Sequence, residues 1–168
     1  MKNLIIIAFT CFLSFSAFAQ NQAIETFYNK YMDMEDITDI SLEGWLLNMV
    51  ATYASETDEK VDLTKKISKL RIMIMDEKNI VQKNDKKSLM SGLRSGQFEE
   101  LFQIRDGKTK IDFMIREEGE TITNFIMLVD EVDSFILLSL EGALSLEDLK
   151  KLNIEVEGAE DFKKLPRA

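Results

Sequence analysis

The chain has no histidine, and its single cysteine is Cys11. These two absences remove Ser-His-Asp and Cys-His catalysis, the commonest general base near neutral pH, and the usual zinc, haem and iron-sulfur ligands. Proline occurs once, at Pro166, and the seven glycines are dispersed, so no glycine-rich phosphate cradle is present. Positive charge is in deficit: 21 Lys and Arg face 30 Asp and Glu, a formal net charge of −9. Such a surface repels phosphate backbones, and nucleic acid is not expected among the partners. No tract of linker composition or low complexity divides the chain.

What the sequence does contain begins with an address. Lys2 supplies a positive n-region, Leu4 to Phe18 an apolar stretch, and Ala17-Phe18-Ala19 a small-residue cleavage site. Residues 1–19 are therefore expected to be a signal peptide cut between Ala19 and Gln20, delivering the product to the periplasm or outside the cell. Cys11 lies inside this leader, and Phe9-Thr10 before it do not suit lipidation. The mature chain then has no cysteine and no disulfide, and a packed core must supply its stability. The remaining residues, 20–168, are enough for one globular domain.

The stretch from Lys110 to Leu140 organises that domain. It predicts three consecutive strands, 110–117, 121–129 and 134–140, separated by turns at Glu118-Gly119 and at 130–133, a spacing that fits an antiparallel meander and is too short for parallel crossovers. A fourth strand is expected over 68–76, with Leu70, Ile72 and Ile74 on one face and Arg71, Met73 and Met75 on the other. Residues 125–129 and 135–138 are apolar on both faces, so the sheet is either covered on both sides or carries a groove or partner site on one.

Helices supply the cover. Ile24, Phe27, Tyr28 and Tyr31 fall at i, i+3, i+4 and i+7 of a helix over 22–32. After an acidic loop, 33–39, and a short strand from Ile37 to Ser41, Ser41 is expected to cap a helix in which Leu42, Trp45, Leu46, Met49 and Val50 bury the only tryptophan. Another helix is predicted from Asn84 through Leu93, breaking near Ser95-Gly96 and resuming through Phe98, Leu101 and Phe102. Ser145 caps a helix with Glu147 and Asp148 in its first turn, and a last short helix is placed over 159–165. The class that fits is α+β: an antiparallel meander sheet of four or more strands with helices packed on it.

The residual chemistry is sparse. Ser68-Lys69 and Lys87-Ser88 read as surface neighbours rather than catalytic dyads. The acidic groups at 117–120, 130–133 and 155–161 lie where solvated turns lie. Residues 33–39 lack the glycine and ligand spacing of a calcium loop. Met32-x-Met34 and Met73-x-Met75 have the spacing of soft-metal thioether pairs, although methionine is also a common core filler. No residue is assigned a catalytic, cofactor or metal role.

With these residues laid out, the chain resembles an exported family of the Bacteroidetes known as domain of unknown function 4252. The resemblance rests on F-Y-N-K-Y at 27–31, I-T-D-I-S at 37–41, K-L-R-I-M-I at 69–74, F-E-E-L-F-Q-I-R-D-G-K at 98–108, the meander from Phe113 to Val129, and the run from Leu137 to Leu152. Many proteins of that family have a tyrosine where Phe102 stands. Some members are lipoproteins, and membrane attachment is not carried over to this chain. The resemblance implies no catalytic residue; members are often encoded near extracytoplasmic sigma factors, which implies a role around envelope signalling. The expectation is a non-enzymatic binding or regulatory protein with an envelope protein as partner. The alternative is a carrier of a small apolar ligand or lipid, which predicts a deep internal cavity.

Overall fold

The computed structural model describes residues 22–54 and 62–151. The expected signal peptide with its cleavage site, the acids at 155–161 and the helix expected at 159–165 lie outside these residues. In chain order the elements are α1 (Gln22–Tyr31), β1 (Thr38–Glu43), α2 (Gly44–Ala54), β2 (Ile67–Met75), α3 (Lys83–Ser95), β3 (Glu99–Asp106), β4 (Thr109–Glu118), β5 (Thr121–Asp130), β6 (Phe135–Leu144) and α4 (Leu146–Lys151). No helix among the described residues is long and apolar enough to cross a membrane.

The six strands form one sheet in the order β1-β2-β6-β5-β4-β3, and every neighbouring pair is antiparallel. The fold is α+β, as the hydrophobic pattern predicts. The meander is longer than expected because β3 joins it at the front, so four hairpin-linked strands return the chain to β2. Gly107 and Gly119 stand at positive φ in the β3–β4 and β4–β5 turns, where a residue without Cβ avoids steric cost.

The doubly apolar strands are explained by two cores, one on each face. On the first face α1 and α3 lie side by side over Met73, Met75, Met114, Ile126, Leu128, Phe135 and Leu137. All four stripe residues of α1, Ile24, Phe27, Tyr28 and Tyr31, are buried there, each contributing roughly 1.5–3 kcal/mol of transfer energy. On the second face, Ile111, Phe113, Phe125, Met127 and Val129 pack with Leu47 of α2, Leu63 and Leu149 of α4.

Three expectations are corrected. The helix of the 84–102 segment does not resume after Gly96: α3 ends at Ser95, and Phe98, Leu101 and Phe102 lead into and lie on β3. The Phe98 amide donates to the Leu93 carbonyl (3.0 Å) and the Gln97 amide to the Arg94 carbonyl (3.2 Å), with Gln97 at φ 66°. This is a Schellman stop, and burial of Phe98 with Leu93 supplies its hydrophobic contact. Second, Ser41 does not cap a helix, because β1 runs to Glu43 and α2 starts at Gly44. Third, Trp45 is not buried; it is 71 % exposed.

A candidate interaction site at the β1–α2 corner

β1 and β3 are the edges of the sheet, each pairing on one side only among the described residues. β1 is short, and an arginine on the neighbouring strand holds it in place. Arg71 of β2 donates from Nε and Nη2 to the two carboxylate oxygens of Asp39 on β1, at 3.2 and 2.8 Å. Its Nη1 reaches Glu25 of α1 at 3.3 Å, and the guanidinium lies 3.9 Å from the centre of the Tyr28 ring. The Tyr28 hydroxyl donates to the backbone carbonyls of Leu137 (3.0 Å) and Arg71 (3.2 Å). Burial pushes the Tyr28 phenol well above its ordinary pKa, outweighing the hydrogen bond with Ser139 and the Arg71 charge that favour the phenolate. The network ties α1, β1 and β2 into one unit, so the corner beyond it is presented on a fixed frame.

On the second face of the sheet, Ile40 of β1 stands in register with Ile72 of β2, which pairs with Leu138 of β6. Burial falls along this row from the middle of the sheet outward: Leu138 and Ile72 are half-buried, and Ile40 is 39 % exposed. α2 follows at once. A Cβ at Gly44 would sit 2.6 Å from the Ile67 carbonyl oxygen, so only glycine lets the helix begin pressed against β2. From that start Leu47 points inward, while Trp45 and Met49, one turn apart, point to solvent; Met49 is 46 % exposed. A tryptophan, a methionine and an isoleucine are therefore exposed beside a strand edge that is unpaired among the described residues. Exposed acids stand at both ends of β1, Glu35 and Asp36 before it and Glu43 as its last residue.

The domain-of-unknown-function model DUF4252 matches residues 31–152. The chain belongs to the DUF4252 family. The matched span opens at the last residue of α1 and takes in all six strands, so the β1–α2 corner lies inside the DUF4252 domain. No curated protein and no solved structure matches the chain.

Within the DUF4252 domain the groups weighed for chemistry do not converge. Lys69 lies 3.5 Å from Glu25, and Lys87 and Ser88 are exposed on α3. Glu117, Glu118 and Glu120 are exposed at the β4–β5 hairpin. At the β5–β6 turn Asp130 accepts from Lys86 and Asn79, and Glu131 from Thr109 and Ser134, so these acids staple the turn to β4 and α3. Met73 and Met75 do share a face, but both are core residues; Met32 and Met34 lie in the turn after α1, where Met32 accepts a hydrogen bond from Arg71. No group of three or more carboxylates that could hold a metal occurs among the described residues.

Among the described residues, two surface clefts flank α3. One, of about 360 Å³, runs between α1 and α3 and is lined by Ala23, Phe27, Leu89 and Gly92 with polar groups at its rim. The other, of about 560 Å³, lies along the opposite flank of α3. Sequence reasoning missed the corner because it assigned Trp45 to the core. The signal that could have found it is the acidic-apolar run 33–49 itself, which offers more large apolar side chains than one short strand and one helix stripe can bury.

Proposed function

We propose that this DUF4252 domain is an exported, non-enzymatic protein-binding or regulatory module of the cell envelope, and that its partner docks at the β1–α2 corner. The observation that carries this reading is the exposure of Trp45, Met49 and Ile40 beside the edge of β1, which is unpaired among the described residues. Tryptophan and methionine are enriched where proteins meet, and a single buried tryptophan often dominates the binding energy. A strand edge adds backbone donors and acceptors that a partner strand can use. The surrounding acids favour a partner segment with basic residues flanking an apolar centre. The sequence supports export through its leader, and the scattered placement of the serine-lysine pairs and carboxylates supports a role without turnover.

A photo-crosslinking amino acid placed at position 45 tests this in the native organism. A discrete crosslinked protein is expected from position 45 and none from position 118, which is equally solvated on the β4–β5 hairpin. No product at 45, or the same products at both positions, overturns the reading.

A second reading, a carrier of a small apolar ligand, has its cue in the apolar cleft between α1 and α3, which is a surface cleft and not the deep internal cavity expected of a carrier. It expects a fluorescent fatty acid to bind saturably and Leu89→Asp to abolish binding. Absence of saturable binding removes it.

A further inference from the structure

The flank of α3 that faces away from α1 carries the opposite sign to the rest of the molecule. Lys83, Lys86, Lys87 and Arg94 line one groove with Lys110 of β4, and Met90 forms its half-buried floor. No carboxylate lines this groove among the described residues, although acids outnumber bases 30 to 21 in the chain. Two of the five cations are spoken for: Lys86 pairs with Asp130, and Lys110 with Asp112 (2.6 Å). The side chains of Lys83, Lys87 and Arg94 make no ion pair or hydrogen bond among the described residues.

From these observations we infer that the α3–β4 groove is a docking site for an acidic peptide segment of a protein partner. Lys83 and Arg94 are eleven residues apart, about 16 Å along a helix at 1.5 Å per residue. An extended peptide covers that distance in about five residues at ~3.3 Å each, so carboxylates at alternate positions fall on one side and meet the three free cations in turn. Met90 offers an apolar contact at the middle of the row, which a plain polyanion cannot use and a peptide with one central leucine can. A long phosphate polymer is disfavoured because the chain as a whole carries a formal net charge of −9, which repels a polyanion that extends beyond the groove. Lys86 and Lys110 also line the groove, while their partners Asp130 and Asp112 are not among its lining residues.

The test is fluorescence anisotropy with labelled octapeptides and the purified protein. One peptide alternates glutamate with serine around a central leucine; its control has glutamine for every glutamate. We expect saturable binding of the acidic peptide alone. The triple variant Lys83→Ala, Lys87→Ala, Arg94→Ala should weaken binding roughly tenfold, since three partly exposed ion pairs are lost. A control triple, Lys65→Ala, Lys78→Ala, Lys108→Ala, makes the same change in net charge at exposed sites elsewhere and should leave binding unaltered. All six replacements are at solvent-exposed positions, and a thermal melt of each triple confirms that it folds. Equal binding of the glutamine peptide, equal loss in both triples, or tighter binding of a single-stranded oligonucleotide or of phosphatidylglycerol vesicles overturns the inference. Trp45→Ser should not change peptide binding, so failure here is separable from failure at the β1–α2 corner.

Discussion

Adding one methyl group to α3 should loosen the domain, although helix propensity alone predicts the opposite. Gly92 faces α1, and a Cβ built on it would lie 2.3 Å from the Cβ of Ala23. Two carbons in contact sit about 3.5–4.0 Å apart, so the helices must separate by more than an ångström or tilt. Forcing extra volume into a packed contact costs ~1–3 kcal/mol, whereas replacing glycine with alanine inside a helix gains about 1 kcal/mol. Gly92→Ala should therefore destabilise by a net ~0.5–2 kcal/mol. In a chain already carrying Ala23→Gly, the nearest atom of that residue is the Cα at 3.6 Å, an ordinary contact. There Gly92→Ala should stabilise by up to ~1 kcal/mol. Urea denaturation of the four proteins, followed by far-UV circular dichroism, gives the coupling directly. A coupling below about 0.5 kcal/mol, or stabilisation by Gly92→Ala in the otherwise unchanged chain, refutes the close crossing of α1 and α3.

Other consequences are equally specific. Asp148 sits at the start of α4, where its carboxylate accepts from the Ser145 amide (2.8 Å) and hydroxyl (2.7 Å) and from Lys66 (2.8 Å). Burial pushes this carboxyl up, but Lys66 and Ser145 outweigh burial and hold it below the ordinary value. Its stabilisation is then present above the unfolded pKa and lost as pH falls through the depressed folded one. Asp148→Asn should cost ~1–3 kcal/mol in urea melts at pH 7, and the gap should close toward pH 3. Tyr28 behaves in the opposite sense: its raised pKa means stability present below about pH 10 and lost above it, so Tyr28→Phe, costing ~1–2 kcal/mol at pH 7, should show a shallower alkaline decline. Gln97→Gly should raise stability by about 0.5–1 kcal/mol in thermal melts, because glycine accepts the left-handed position that closes α3. Tryptophan emission, which reports only Trp45, should lie near that of indole in water and be quenched by iodide; a blue-shifted, protected signal would remove the corner.

The sheet was legible because its strands are bounded by turn chemistry and alternate with period two. The stripe of α1 and the cap of α4 were legible for the same local reasons. The misreadings share one cause, an apolar spacing that two structures can satisfy. Phe98, Leu101 and Phe102 have helical spacing, but a bulge between Glu100 and Phe102 in the β3–β4 ladder breaks the alternation that would have marked a strand. Leu42, Trp45 and Met49 read as one stripe, yet Leu42 belongs to β1, and the helix starting at Gly44 turns its inner side to Leu47. The groove of α3 left a signal that could have been followed: four cations within twelve residues, 83–94, of an acidic chain. That Lys86 is neutralised and Lys83, Lys87 and Arg94 are not depends on where β4 and β5 lie, which no local pattern encodes.

The central claim, that this DUF4252 domain acts by holding another protein at the β1–α2 corner, is tested most directly by native mass spectrometry of the protein isolated from its own cell envelope. The account predicts a stoichiometric complex with a protein partner, absent when Trp45→Ser and Met49→Ser are combined. A bare monomer, an adduct of lipid size in place of a protein, or a complex that survives the double replacement would contradict it.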